Sequence, residues 1–382
     1  LALSVFVKVN ESGEVIDNTT RFEKTLIHNC AKMSYEVADE IIKGCIAQST
    51  VQPVNGQSTA GLIQDILMLN QIASNMKQAR TEKGYLDIIN VETKFQFDEQ
   101  GRPSSIVEKP QLTSCELVQE FMLLANSLVA NAIMSHSDSR IRESALLRNH
   151  RAPTQQRLND FEKYCTDSAK ISMNTENVAV LNKQLHTIYQ ENQNVGVILF
   201  NQVRRAMQHA NYIRAPPAED MYHYGLNTSC YTHFSSPIRR YADLLVHRLL
   251  SAAISSSNCF GYTPEQVDQI ASRCNTRRLD AKRVQEQSNY SFLRALYSSS
   301  ETKHVERAII SQVSQKNLTV YIPKISEEIR ISFEDIQTLV AKKHYNRKDK
   351  SLTVTLLDET KMTFSTYDTI ECEMFCRIDP DG

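Results

Sequence analysis

Residues 223–250 read HYGLNTSCYTHFSSPIRRYADLLVHRLL, centred on Ser236-Pro237-Ile238-Arg239-Arg240. Serine is a favoured N-cap and proline fits the first helical position. The pattern predicts a helix from Pro237 to about Ser251. Ile238, Tyr241, Ala242, Leu245, Leu249 and Ala252 recur at helical spacing and make its predicted buried stripe. Arg239 and Arg240 then fall in the first turn, against the positive end of the helix dipole, where each cation is disfavoured by roughly 0.3–1 kcal/mol. Two guanidinium groups beside free backbone N–H groups are poor for folding and good for a phosphate. Spacing leaves another reading open, in which both arginines pair with Asp243 and point to solvent. His247, one turn past Asp243, reads as a surface or packing histidine.

Outward from that stretch, composition sets limits. The chain has 382 residues, 41% apolar and 23% charged, with a formal net charge of −1. That describes an ordinary globular chain of two or three domains. There is no bulk basic signal, so any nucleic-acid site must be a local patch. The nine cysteines are scattered singly, and Cys372 and Cys376 have no second ligand pair, which argues against structural zinc and for reduced thiols. No apolar run approaches a membrane span, and no signal peptide opens the chain. The chain starts at Leu1 inside a strand-like run, LALSVFVKVN, so a fragment of a longer protein is expected.

Taken in order, Leu3–Val9 and Val15–His28 predict two strands around a turn at Glu11-Ser12-Gly13-Glu14. Ser34 caps a short helix through Ile42 that stops at Gly44, and residues 48–59 read as a surface loop. A helix is expected from Ala60 to about Lys83, apolar at Leu62, Ile63, Ile66, Leu69, Ile72, Ala73 and Met76, with Lys77, Arg80 and Lys83 as a solvated charged face. A hairpin follows around Asp98-Glu99-Gln100-Gly101. Thr113 and Glu116 have capping-box spacing, and the helix after them, to about Met134, is apolar almost all round, hence central and buried. Gln119, Glu120 and Asn126 are its polar exceptions; a buried Glu120 needs a partner, most simply an ion pair. Thr263 caps a long helix through about Leu296 that carries Arg277, Arg278, Lys282 and Arg283 as a basic band. Beyond Ser300, runs at 304–313, 318–322, 329–333, 352–357, 361–364 and 369–376 suggest a small barrel of the OB type. Lys342, Lys343, Arg347, Lys348 and Lys350 crowd an expected loop around Tyr345, a composition that suits single-stranded RNA.

YTHFSSPIRRYADLLVHRLL (231–250) resembles the signature of the RNase II/RNase R (RNB) family of processive exoribonucleases. The resemblance continues in FEKTLIHNCAKMSYEVADEII (22–42), ELVQEFMLLANSLVANAI (116–133), ALLRNH (145–150) and CNTRRLDAKRVQE (274–286), and so spans most of residues 1–300. The last segment is most similar to the cytoplasmic eukaryotic Dis-three-like branch. The resemblance implies an α+β fold: a partial RNB-type catalytic core over 1–300, then an OB-type RNA-binding barrel over 301–382. It also implies hydrolysis of single-stranded RNA from the 3′ end to nucleoside monophosphates, in the cytoplasm, by a monomer without exosome association or membrane attachment. A preference for uridylated RNA comes with that branch alone.

By motif position, the resemblance makes Arg239 the catalytic arginine that stabilises charge on the scissile phosphate. Ser236 and Arg240 flank it as RNA contacts. Gln119 and Glu120 fall where the family usually has Glu-Glu, at the edge of the site, so this chain departs at Gln119. Arg278 and Lys282 would steer the phosphate backbone. The family's loop of consecutive prolines is Arg151-Ala152-Pro153 here. Mg²⁺ is the implied cofactor. The family's acidic cluster has no equivalent in the sequence, and Asp379 and Asp381 stand in the wrong place. No metal ligand is therefore assigned, and the ligands are expected upstream of residue 1. A non-catalytic RNA-binding or scaffold protein with an RNB shell is the alternative. A helical protein-interaction module is a third, predicting no salt-sensitive RNA binding.

Overall fold

The computed structural model describes residues 1–45, 51–88, 93–109, 111–215, 221–255, 260–298, 304–334 and 340–374. In chain order come β1 (Ala2–Phe6), β2 (Arg21–Thr25), α1 (Tyr35–Ile42), α2 (Thr59–Glu82), β3 (Thr93–Phe97), β4 (Pro103–Glu108), α3 (Thr113–Met134), α4 (Ser139–Glu143) and β5 (Leu146–Asn149). Next are α5 (Gln155–Tyr164), α6 (Val178–Glu191), α7 (Gln193–Ala206), β6 (Asn211–Arg214), α8 (Tyr241–Ile254) and α9 (Pro264–Ser298). The chain closes with β7 (His304–Val313), β8 (Asn317–Ile322), β9 (Glu327–Ser332), β10 (Val340–Asn346), β11 (Ser351–Leu356), β12 (Lys361–Phe364) and β13 (Thr369–Met374). The mixed α+β class expected from the sequence is what forms. There are two compact units, residues 1–86, 111–152 and 208–280 in one, 87–110, 153–207 and 281–382 in the other. Asp379, Asp381, Cys376 and the first residues of the expected 48–59 loop lie outside the described residues.

In the first unit, β1 pairs antiparallel with β2, and β5 with β6. The core joins Val129, Ala130 and Ile133 of α3, Leu146 and Leu147 of β5, and Ala242, Leu245, Val246, Leu249 and Leu250 of α8. Burying each large side chain stabilises by about 1.5–3 kcal/mol. α8 begins four residues later than its N-cap signal predicted, with Arg240 at the cap. Residues 236–240 instead form a turn, in which the Arg239 and Arg240 N–H groups donate to the Ser236 carbonyl at 3.3 and 3.2 Å. Ile238 and Tyr241, expected in the buried stripe, are 96% and 55% exposed. The shift has a local cause: Asp243 in the first turn of α8 takes the Ser236 N–H, so the chain closes on Asp243 rather than on the Ser236 hydroxyl.

α3 departs from expectation in two ways. Its length and apolarity equal those of a membrane span, contrary to the sequence reading, although its C-terminal half packs in the core just described. Leu117, Val118, Phe121 and Met122 are only half-buried. The predicted Thr113–Glu116 capping box is not made. Glu116 instead pairs with Lys77 at 2.9 Å, and the Asp39 carboxylate accepts from Thr113 N–H at 2.6 Å and Ser114 N–H at 3.4 Å. Its hydrogen bond to Lys43 and these N–H groups hold the Asp39 carboxyl below its ordinary range. Asp39→Ala is expected to cost about 1–2 kcal/mol, read by urea unfolding, because a buried cap is lost. A change under about 0.5 kcal/mol would show that α3 needs no cap from α1. α2 runs as predicted, but of its expected apolar face only Ala73 is fully buried, and Leu69 is exposed.

In the second unit, β3 and β4 form the expected hairpin, its turn held by the Asp98 carboxylate accepting from the Gln100 and Arg102 N–H groups. α6 and α7 approach closely at Gly196, where a Cβ would stand 2.5 Å from Tyr189 Cα. The strand-rich segment forms two antiparallel sheets, β13-β7-β8-β9 and β10-β11-β12. Ala308, Ile310, Leu318 and Val320 of the first share a core with Leu352 and Val354 of the second. Among the described residues the two sheets do not close into one barrel. Lys342, Lys343 and Tyr345, expected in a loop, lie on β10; Arg347, Lys348 and Lys350 sit in the turn after it, and Lys350 pairs with Asp167 at 3.0 Å.

Candidate functional site

The site is built in the first unit on residues 230–243. The segment runs beside β5, with Arg148 N–H donating to the Tyr231 carbonyl at 2.7 Å and the Thr232 hydroxyl to Leu146 at 2.6 Å. Asn126, buried on α3, accepts from the Phe234 and Ser235 N–H groups at 2.9 and 3.1 Å and donates to the Tyr231 hydroxyl at 2.9 Å. Asp243 takes the next N–H, that of Ser236, at 2.7 Å, and receives both arms of Arg240 at 2.8 and 2.7 Å. Three consecutive backbone N–H groups are thus held by two buried side chains. The fully buried Asp243 carboxylate is satisfied by a bidentate guanidinium.

This arrangement separates the two arginines. Arg240 is tied to Asp243. Arg239 is exposed on the hydrogen-bonded turn and its side chain has no hydrogen-bond or ion-pair partner among the described residues. A free guanidinium on a fixed backbone is pre-organised for an oxyanion. Of the alternatives that spacing left open, Arg240 follows the ion-pair one and Arg239 does not. His247 proves to be a packing histidine: its ring stacks on Phe234 at 4.4 Å and Nε2 bonds the Phe234 carbonyl at 2.8 Å.

Behind the turn lies a polar interior. Arg148 stands opposite Tyr212 on the β5–β6 ladder, and its guanidinium carbon lies 4.6 Å from the Tyr212 ring centre. The Tyr212 hydroxyl bonds His233 Nδ1 at 2.7 Å, and the rings of His150, His223, Tyr231 and His233 follow one another edge to face. Burial, then the positive charges of Arg240 and Arg148, push His233 down to about 2. Burial, then His150 and Arg148, bring His223 to about 3. Both rings are neutral at pH 7.

The remaining sequence-predicted residues are dispersed. Ser236 is buried beside Asp243. Gln119 is exposed. Glu120 is buried and paired with Arg80, whose Nε donates to it at 3.2 Å; Arg80 also lies 3.5 Å over the Tyr85 ring. Arg80 was expected on a solvated face; the cost of burying Glu120 alone explains why it turns inward. A cavity of about 400 Å³ opens beside this pair and is also lined by Leu123, Leu124, Asn227 and Tyr231. Arg278 is in the first unit, with Nη2 on the Ala210 carbonyl at 3.0 Å. Lys282 belongs to the second unit, is exposed and pairs with Glu286 at 3.5 Å, so the expected basic band is divided. Among the described residues no group of three or more His, Cys, Asp or Glu side chains is placed to hold a metal ion. Mg²⁺ has no fitting ligand set among them.

Sequence reasoning missed Arg148, Tyr212, His223 and His233 as members of one cluster. Arg148 stood in the ALLRNH segment, but only the fold shows that this arginine faces inward.

A family model described as the RNB domain matches residues 1–256. The DIS3-like exonuclease 2 of Schizosaccharomyces pombe is 29% identical over 389 residues, covering 98% of this chain and 41% of the relative. The Inactive exonuclease DIS3L2 of Arabidopsis thaliana is 28% identical over 393 residues, covering 89% of this chain and 36% of the relative. RNase R of Mycoplasma genitalium, solved with ribose-methylated single-stranded RNA, superposes with a TM-score of 0.78 at 17% identity, covering 98% of this chain and 55% of that one. This last likeness is one of fold. The chain spans about two fifths of the length of the curated relatives it matches. With the family model covering most of the chain and the SSPIRRY turn built as described, the chain belongs to the RNB exoribonuclease family, in its Dis3-like branch.

Proposed function

We propose that the chain acts within a 3′-to-5′ exoribonuclease that hydrolyses single-stranded RNA to nucleoside monophosphates. The carrying observation is Arg239, exposed and, among the described residues, unpaired, on a turn whose backbone is held by Asn126 and Asp243. Its guanidinium is free for the charge that develops on a scissile phosphate, while Arg240 and Ser236 position it. The Mg²⁺ that such hydrolysis uses is, in this reading, held by residues other than those described. Supporting features are family membership and the RNA in the complex of the Mycoplasma genitalium neighbour. Arg278 and Lys282 would contact the RNA backbone, with 301–382 as an RNA-binding module. The protein would work in the cytoplasm as a monomer, apart from the exosome, and favour uridylated 3′ ends; equal rates on A-tailed and U-tailed substrates would remove that preference.

The test is Arg239→Ala in the full-length protein, with single-stranded RNA and Mg²⁺. Turnover is expected to fall by about 10²–10³-fold, as for loss of a donor to a developing oxyanion, while RNA affinity stays within a few-fold. Unchanged turnover would reject Arg239 as catalytic. A second reading, a catalytically inactive RNA-binding protein, is favoured by the lack of a metal-holding group among the described residues and by a relative named as inactive. It predicts RNA binding without release of nucleoside monophosphates at any Mg²⁺ concentration.

A further inference from the structure

We propose that Arg148 and Arg278 form an interior anion site in the first unit that takes a phosphate-class oxyanion.

Arg148 is 6% exposed. A buried guanidinium is normally matched by a carboxylate or by carbonyls that use its five N–H donors. Arg240 has Asp243, and Arg80 has Glu120. Arg148 has no such partner among the described residues. Its Nη1 is sealed from solvent and unbonded, and its guanidinium carbon lies 4.6 Å from the centre of the Tyr212 ring. Arg278 is in the same condition by half: Nη2 meets the Ala210 carbonyl, while Nε is buried and unbonded.

The fold brings the two together through three adjacent elements. Arg148 and Tyr212 are cross-strand partners on β5 and β6. Asn275 on α9 clasps Tyr212, its amide accepting from Tyr212 N–H at 2.7 Å and donating to the Tyr212 carbonyl at 2.8 Å. Arg278 follows Asn275 by three residues, on the same helix face, and reaches Ala210 just before β6. The two cations repel: after burial, the charge of Arg278 is the largest influence lowering Arg148, to about 10. Asp243, the carboxylate in this cluster, is fully engaged by Arg240 and the Ser236 N–H.

Two forks with buried, unused donors, and among the described residues no free carboxylate to match them, fit an anion with acceptors on several sides. A tetrahedral phosphate offers that, and arginine forks bind it in bidentate fashion. The oxyanion can come from an RNA backbone or nucleotide, or from free phosphate. As an RNA contact the site rests on the function proposed above; as a phosphate site it stands without it.

The test uses the 382-residue chain. Thermal unfolding is followed in inorganic phosphate and in chloride at equal ionic strength, and in parallel with a short oligouridylate. Phosphate is expected to raise the wild-type Tm by about 3 °C or more over chloride, and Arg148→Met and Arg278→Met to abolish that rise. Arg148→Met should itself fold at least as well as wild type, since it removes an unmatched buried charge; if it does not fold, Arg278→Met carries the comparison. A rise with phosphate alone, lost in the variants, identifies free phosphate as the ligand. A rise with oligouridylate alone, lost in the variants, identifies the RNA backbone. A rise that survives both substitutions, or none with either ligand, overturns the site. The result is separable from the function proposed above: a variant-sensitive phosphate shift in a full-length protein that releases no nucleoside monophosphates at any Mg²⁺ concentration removes the nuclease reading and keeps this site.

Discussion

Asp243→Ala is expected to destabilise the first unit by about 3–5 kcal/mol, the range for breaking a buried ion pair from one side. Two groups are orphaned at once. Arg240, with 20% of its side chain exposed, loses both charge-assisted bonds, and the buried Ser236 N–H loses its acceptor. Such a loss is a large part of a domain's whole stability, so the variant should unfold at a much lower urea concentration. Arg240→Met together with Asp243→Leu should recover part of it, since an apolar pair carries no unmatched charge; the Ser236 N–H remains unsatisfied. A loss below about 1 kcal/mol for Asp243→Ala would mean that the turn carrying Arg239 is held by packing alone.

The second large effect is loss of stability in acid. Unfolded histidine titrates near pH 6.5. In the folded chain His223 is lowered to about 3 and His233 to about 2. Both are depressed, so their contribution is complete above pH 6.5 and is lost as pH falls from 6.5 toward 3, where the unfolded chain binds protons that the native chain does not. The slope approaches 1.4 kcal/mol per pH unit for each ring, giving about 4–5 kcal/mol for the two between pH 6.5 and 4.5. Urea unfolding at pH 7.5, 6.5, 5.5 and 4.5 reads this directly. His233→Gln should remove about half of the slope below pH 6. A flat profile from pH 6.5 to 4.5 would show that the ring chain is open to water.

Much of the fold was legible in residue order. Ser34 caps α1, Thr263 and Gln266 exchange the bonds of a capping box at α9, and the Asp98 turn closes its hairpin. The strands at 304–313 and 361–364 fall where alternation placed them. Each is a local effect, settled within a few residues by turn chemistry, capping or periodicity.

The site was legible only as a motif. Sequence by itself determined that Arg239 and Arg240 stand side by side after a Ser-Pro pair, with Asp243 in reach of either. Only the tertiary structure decided between them. Asp243 is buried against the core of α8, and a buried carboxylate must be matched, so it takes Arg240 and the Ser236 N–H and leaves Arg239 outside. The same cost drew Arg80 off a predicted charged face onto Glu120. Arg148 is the opposite case, buried by the β5–β6 ladder with no match supplied among the described residues. Capping and periodicity act over a turn or two of chain and can be read from order. Which charge ends up buried, and beside what, depends on residues tens to more than a hundred positions apart, and is fixed only when the core closes.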